Sequence, residues 1–220
     1  MLRNRDCCLC DQIEGLKAND LVAHMLPDVP YVRRVMLESR SFAVIPSLGP
    51  LASGHSLLCP RNHIKSFASI SPDLHEEYGQ LKKKLRTILN EIYGTGIHLF
   101  EHGMATKGNR IVCTVDHAHM HFLPLPQTFE IDANGLQGWT EFDGSLSELL
   151  KLTQDREYIV YETPDGVCRL LTAQEGALES QYMRKVLAKG LGHRKWDWRA
   201  APNARAADEA FRRFSEAGLR

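Results

Sequence analysis

Residues 116–124, DHAHMHFLP, place His117, His119 and His121 at every second position, with Ala118, Met120 and Phe122 between them. Successive side chains of a β-strand point to opposite faces. The alternation therefore predicts a strand whose three imidazoles share one face, about 7 Å from neighbour to neighbour at twice the strand rise. Ala118, Met120 and Phe122 then face a core. Chance repetition of so rare a residue in phase is a poor explanation. A metal site or a row of catalytic imidazoles remains, on a strand expected to run from Ile111 to Leu123.

The flanking pattern sets the fold class. SFAVIP (41–46) and GHSLLCP (54–60) read as two strands joined through the turn-forming SLGPLAS. Ser71-Pro72-Asp73 opens a helix in which Leu74, Tyr78, Leu81, Leu85, Ile88 and Ile92 recur at steps of four and three, and Gly94 ends it. Another strand, Ile97 to Glu101, precedes the histidine strand. This order predicts an α+β fold with a mostly antiparallel sheet over residues 1–130. Residues 131–220 form a C-terminal α/β extension expected to pack on it. In that extension Ser145 caps a short helix, and Pro164-Asp165-Gly166 joins two strands. Ser180 is expected to cap the helix that carries Arg184, and residues 204–217 form a last amphipathic helix.

At 220 residues, 43% hydrophobic and 25% charged, the chain has an ordinary globular composition. Its formal net charge of zero gives bulk electrostatics no hold on nucleic acid. No apolar stretch approaches a membrane span, and MLRNRDCCLCDQ lacks a signal-peptide core, so a cytoplasmic location is expected. Cysteines there are thiols or metal ligands rather than disulfides. Cys7-x-x-Cys10 has metal-ligand spacing.

His117-Ala118-His119-Met120-His121-Phe122-Leu123 resembles the signature of the histidine-triad family, His-φ-His-φ-His-φ-φ with φ apolar. The likeness extends to GHSLLCPRNHIKSF, a strand ending in Pro-basic-x-His, and to the Ser-Pro helix after it. It covers about residues 5–126 and implies an antiparallel half-barrel with helices on one side. FEHG…CTVDHAHMH is similar also to galactose-phosphate uridylyltransferase, which has glutamine where this chain has His121. A third histidine goes with hydrolysis rather than transfer.

The resemblance implies roles. His119 is the nucleophile, since a neutral imidazole attacks phosphorus near pH 7 and is later displaced by water. His121 protonates or hydrogen-bonds the leaving group, and Thr114 stands where relatives carry a serine that serves it too. Cys113 replaces a common glutamine, and Ser47 a ribose-binding aspartate. His102 lies near the active strand. Apart from the resemblance, Arg184 on the first turns of a helix is a candidate phosphate contact, and Arg184 or Trp198 is the expected contact of the extension with the pocket. Some branches bind a structural zinc through such a cysteine pair, the Pro-x-x-His histidine and the first triad histidine, here Cys7, Cys10, His63 and His117. His55 reads as a structural histidine.

The function so implied is hydrolysis of a nucleotide conjugate, a small molecule that yields a nucleoside monophosphate such as AMP. A phosphoramidase cleaving a P–N bond stands first and a dinucleoside polyphosphate hydrolase second. Nucleotidyl transfer to a phosphorylated acceptor is third. A non-enzymatic nucleotide-binding module, or three histidines on one catalytic metal, are the other readings. A homodimer, without nucleic acid or membrane, is expected.

Overall fold

A computed structural model describes residues 7–17, 20–104, 115–131, 138–174 and 177–217. Among these residues the antiparallel sheet has eight strands: β1 (Leu37–Glu38), β2 (Phe42–Pro46), β3 (Ser56–Pro60), β4 (Gly96–Gly103), β5 (Met120–Leu125), β6 (Thr140–Phe142), β7 (Glu157–Glu162) and β8 (Cys168–Ala173). Their spatial order is β1-β2-β3-β5-β4-β7-β8-β6. The 41–46 and 54–60 strands pair as their patterning predicts, with Val44 opposite Leu58. The hairpin around Pro164-Asp165-Gly166 forms and adds to β4, with Phe100 opposite Tyr161. The strands that follow residue 131 thus continue the same sheet. β6 pairs with β8 at the far edge of that sheet.

Among the described residues six α-helices surround the sheet: α1 (Cys8–Glu14), α2 (Leu21–Met25), α3 (His75–Tyr93), α4 (Leu146–Thr153), α5 (Tyr182–Gly190) and α6 (Ala204–Glu216). The apolar stripe of α3, with Tyr78, Leu81, Leu85 and Ile88, packs in one core with Leu99, Met120 and Phe122. Gly94 ends α3 in the left-handed conformation that a glycine adopts without a Cβ penalty. The opposite sheet face packs Phe100, Leu123 and Ile159 against Met183 and Leu187 of α5. Leu9 and Ile13 of α1 pack on Ile45 and Leu57. Helices therefore cover both faces, not one. Each sheet face is apolar along β4 and β5, which requires a layer on either side.

Two helix starts differ from expectation. Ser71 makes no cap bond to the helix backbone, and Pro72–Leu74 form a 3-10 turn ahead of α3. Gln181, not Ser180, precedes α5, and it does so in the left-handed conformation at φ 58°. Ser145 does cap α4, accepting from the Glu148 N–H at 3.1 Å. The C-terminal helix is tied to the N-terminal half by a buried ion pair, Arg34 Nε to Asp208 Oδ1 at 2.8 Å. Among the described residues no helix is long and apolar enough to cross a membrane.

Candidate functional site

Two adjoining sites meet on the histidine run. The first begins at α1. Cys7 is its N-cap residue, and Cys10 follows one turn later on the same side. Cys10 Sγ lies 3.4 Å from His117 Nδ1 and 3.5 Å from His63 Nδ1, and Cys7 Sγ lies 3.6 Å from His117 Nδ1. One donor atom from each of the four residues falls within 4.8 Å of the others. Thiolate and imidazole ligands on one tetrahedral zinc stand about 3.5 Å apart, given bonds of about 2.3 and 2.0–2.1 Å. The donor set and its spacing therefore fit a closed metal site.

The surroundings prepare these ligands. His117 Nε2 donates to the Pro60 carbonyl at 2.7 Å, which leaves the Nδ1 lone pair facing the thiols. Burial lowers the His117 pKa to about 4, keeping the ring neutral as a ligand must be. Burial pushes the Cys7 thiol up to about 12. A bound cation is what stabilises thiolates in so dry a place.

The second site is a pocket where β2, β5, α5 and the 196–198 segment converge. His119, His121, Ser47, Arg184 and Trp198 all line it. His102 lines a contiguous pocket with His119, His121 and Arg184. The structure thus gathers every described candidate into one of the two sites. Cys113 and Thr114 lie outside the described residues.

The histidines alternate as predicted: Ala118, Met120 and Phe122 enter the α3-side core. The regular strand, however, starts only at Met120. Before it, the Ala118 N–H donates to the Ile64 carbonyl at 2.7 Å rather than to a neighbouring strand. That departure separates the imidazoles. His117 turns to the cysteines, while the His119 and His121 rings stay 4.9 Å apart in the pocket.

Hydrogen bonds fix both pocket tautomers. His119 Nδ1 donates to the His117 carbonyl at 2.7 Å, so Nε2 holds the lone pair. Burial outweighs that bond and lowers the His119 pKa, leaving a neutral imidazole at pH 7. His121 is set through a chain. The Leu51 N–H donates to His55 Nδ1 at 3.1 Å. A backbone amide can only donate, so His55 carries its proton on Nε2 and donates it to His121 Nδ1 at 2.8 Å. His121 must then bear its own proton on Nε2. Burial, helped by His119, His55 and Arg184, holds His121 well below 6.5.

His55 is therefore part of the site and more than a structural residue. Sequence reasoning missed it because its relation to His121 depends on register. Leu57 pairs with His121, so His55, two residues before Leu57, shares the His121 face. His102 is held by Glu157 of β7, Nε2 to Oε1 at 2.7 Å.

Arg184 closes the pocket from the α5 side. Its Nε donates to the Trp196 carbonyl at 2.9 Å and Nη2 to the Gly49 carbonyl at 2.6 Å. A Cβ on Gly49 would lie 2.4 Å from Trp198 Cβ, so glycine is what lets this loop close on the 196–198 segment.

A family model described as scavenger mRNA decapping enzyme C-term binding matches residues 23–136. Among solved structures, the chain is similar to a HIT family protein from Bacillus anthracis at 17% identity and TM-score 0.43, over 56% of this chain and 76% of that one. A HIT family member from Bacillus subtilis aligns at 17% identity and TM-score 0.41, over 69% and 97%. A zinc-bound histidine triad family protein from Mycobacterium smegmatis aligns at 18% identity and TM-score 0.40, over 58% and 80%. No curated protein matches the sequence.

Proposed function

The chain belongs to the scavenger mRNA decapping enzyme C-terminal binding family, within the histidine-triad superfamily, and on that premise we propose that it is a hydrolase releasing a nucleoside monophosphate from a small-molecule conjugate. The observation that carries this reading is the fixed His119 tautomer. With Nδ1–H bound to the His117 carbonyl, Nε2 presents its lone pair from a ring that lines the pocket. Nε2 attacks the phosphorus, the leaving group departs with the electron pair of the broken bond, and a nucleotidyl-histidine forms. Water then attacks the same phosphorus and frees His119. The apolar wall of Leu9, Val22, Leu48 and Leu57 suits a base, with Ser47 beside it for the sugar.

From the sequence, P–N cleavage stands first and anhydride cleavage second. The His55–His121 chain favours the second. Protonating His121 Nδ1 would turn two N–H groups against each other at His55, so His121 is a hydrogen-bond donor and not an acid. A departing amine needs a proton, whereas a departing phosphate does not. Turnover of adenosine phosphoramidates beside dinucleoside polyphosphates ranks the two; a protein inert to both classes is not the hydrolase proposed.

His55 is a positioning residue in this scheme. His55→Leu is expected to lower kcat about 100-fold with little change in KM, and His55→Gln to recover part of the loss. Wild-type kcat in His55→Leu removes the chain from the mechanism. His121→Gln is expected to slow hydrolysis of the covalent intermediate, so that radiolabelled nucleotide accumulates on the protein. A His121→Gln protein that traps no label speaks against two-step transfer.

Zinc is the metal that suits two thiolates and two neutral imidazoles in a closed tetrahedral set, and there it would be structural. It would hold the backbone that presents His119. The homodimer expected from the resemblance meets a constraint. Both sides of β4 are paired, with β5 and with β7. The sheet ends in β1 and β6, of 2 and 3 residues, so self-association would use a face or these short edges.

A further inference from the structure

We propose that the C-terminal segment forms a separate anion subsite that holds a phosphate of the leaving group, with Arg184 as its inner wall. The inference rests on the hydrolase reading and extends it to a part of the chain outside the triad. Arg184 is only 5% exposed. Its Nε and Nη2 are committed to two backbone carbonyls. Both are neutral backbone acceptors, and the carboxylate that acts on the guanidinium is Asp197. Burial pulls its pKa down to about 10, which still leaves it charged at pH 7. Asp197 is the one charge that offsets this burial, and a buried, rigidly held cation with so little compensation is costly unless an anion completes it.

The place for that anion is adjacent. The catalytic pocket measures about 60 Å³, far below the roughly 300–1,000 Å³ of small-molecule sites. A cleft of about 490 Å³ adjoins it, sharing Gly49 and Arg184 as lining residues. His193, Arg194, Lys195 and Trp196 line this cleft, and Asp197 is its one carboxylate. Asp197 Oδ1 already accepts from Gln181 Nε2 at 3.0 Å and from the Arg199 N–H at 2.9 Å. The cleft is thus cationic where it meets the catalytic pocket and has an aromatic wall. A phosphorylated leaving group fits that chemistry, with its inner phosphate against Arg184 and the outer part among Arg194 and Lys195. A neutral leaving group would leave Asp197 as the only charge set against the buried guanidinium.

Two substrates that share an AMP half test the subsite: diadenosine triphosphate, which leaves as ADP, and the p-nitrophenyl ester of AMP, whose leaving portion carries no phosphate. Arg184→Met is compared with the exposed pair Arg194→Ala/Lys195→Ala, which disturbs no buried bond. The exposed pair is expected to lower kcat/KM for diadenosine triphosphate about tenfold and for the ester less than about twofold. Arg184→Met is expected to show the same selectivity with a larger loss. Equal losses on both substrates, or none on diadenosine triphosphate in the double variant, overturn the subsite. If the wild-type protein turns over neither compound, the hydrolase reading falls, and calorimetry with inorganic pyrophosphate still decides the subsite. Binding that weakens about tenfold in the double variant supports it, and undiminished binding overturns it.

Discussion

His119→Ala and His119→Gly are expected to abolish turnover, by about 10⁴-fold or more, while the fold and nucleotide binding persist. The size follows from what is lost. The protein keeps its pocket and its His121 donor, but phosphorus then waits for direct attack by water instead of an imidazole held in place. The fold should survive because His119 is half-buried and makes one hydrogen bond, to the His117 carbonyl. The pH profile carries a second expectation. The nucleophile must be neutral, and burial lowers its pKa from 6.5, so the acid limb of kcat/KM should fall below pH 6.5. Above that limb the ring is already neutral and the rate gains nothing from further deprotonation. Wild-type rates in either variant, with normal heat stability, would remove His119 from the nucleophile role.

The run DHAHMHFLP carried much of this in its own letters, because alternation is a local property of an extended chain. It placed Ala118, Met120 and Phe122 in the core and the imidazoles away from it. It also predicted all three imidazoles in one row, and there the sequence misled. Whether a strand continues depends on a neighbour to pair with, and before Met120 the backbone turns to the 60–64 loop instead. His55 was illegible for a related reason: its contact with His121 comes from the β3–β5 register, which no single strand encodes. Arg184 was legible as a cation near a helix start, yet its setting was not. Its partners, Gly49 and Trp196, lie 135 and 12 residues away. Local chemistry could be read residue by residue. Pairings over long sequence distances had to come from packing.

Cys10→Ser is expected to cost the metal and the fold's heat stability together. Cys10 is the thiol nearest both imidazoles, at 3.4 and 3.5 Å, so it sits at the centre of the donor set. A serine hydroxyl stays protonated at pH 7 and is a poor zinc ligand. Binding free energy of a structural metal is folding free energy. A loss of about 4 kcal/mol, a fraction of the roughly 10–16 kcal/mol that a structural zinc site contributes, lowers the melting temperature by about 10–15 °C for a chain of this size. Cys8 lines the pocket of His119 and His121 and is not in the donor set, so Cys8→Ser is the control that should retain zinc. Elemental analysis and calorimetry of the two variants separate the readings. Unchanged zinc in Cys10→Ser would show that the cysteine pair is no ligand pair. A third result would change the assignment of the histidines themselves. If a chelator strips the metal and the activity while the melting temperature stays put, the metal is catalytic. That outcome conflicts with the geometry, because His117 alone of the three histidines faces the thiols. Its carbonyl holds the His119 ring, so loosening the cluster should misplace the nucleophile and unfold the protein by one and the same loss.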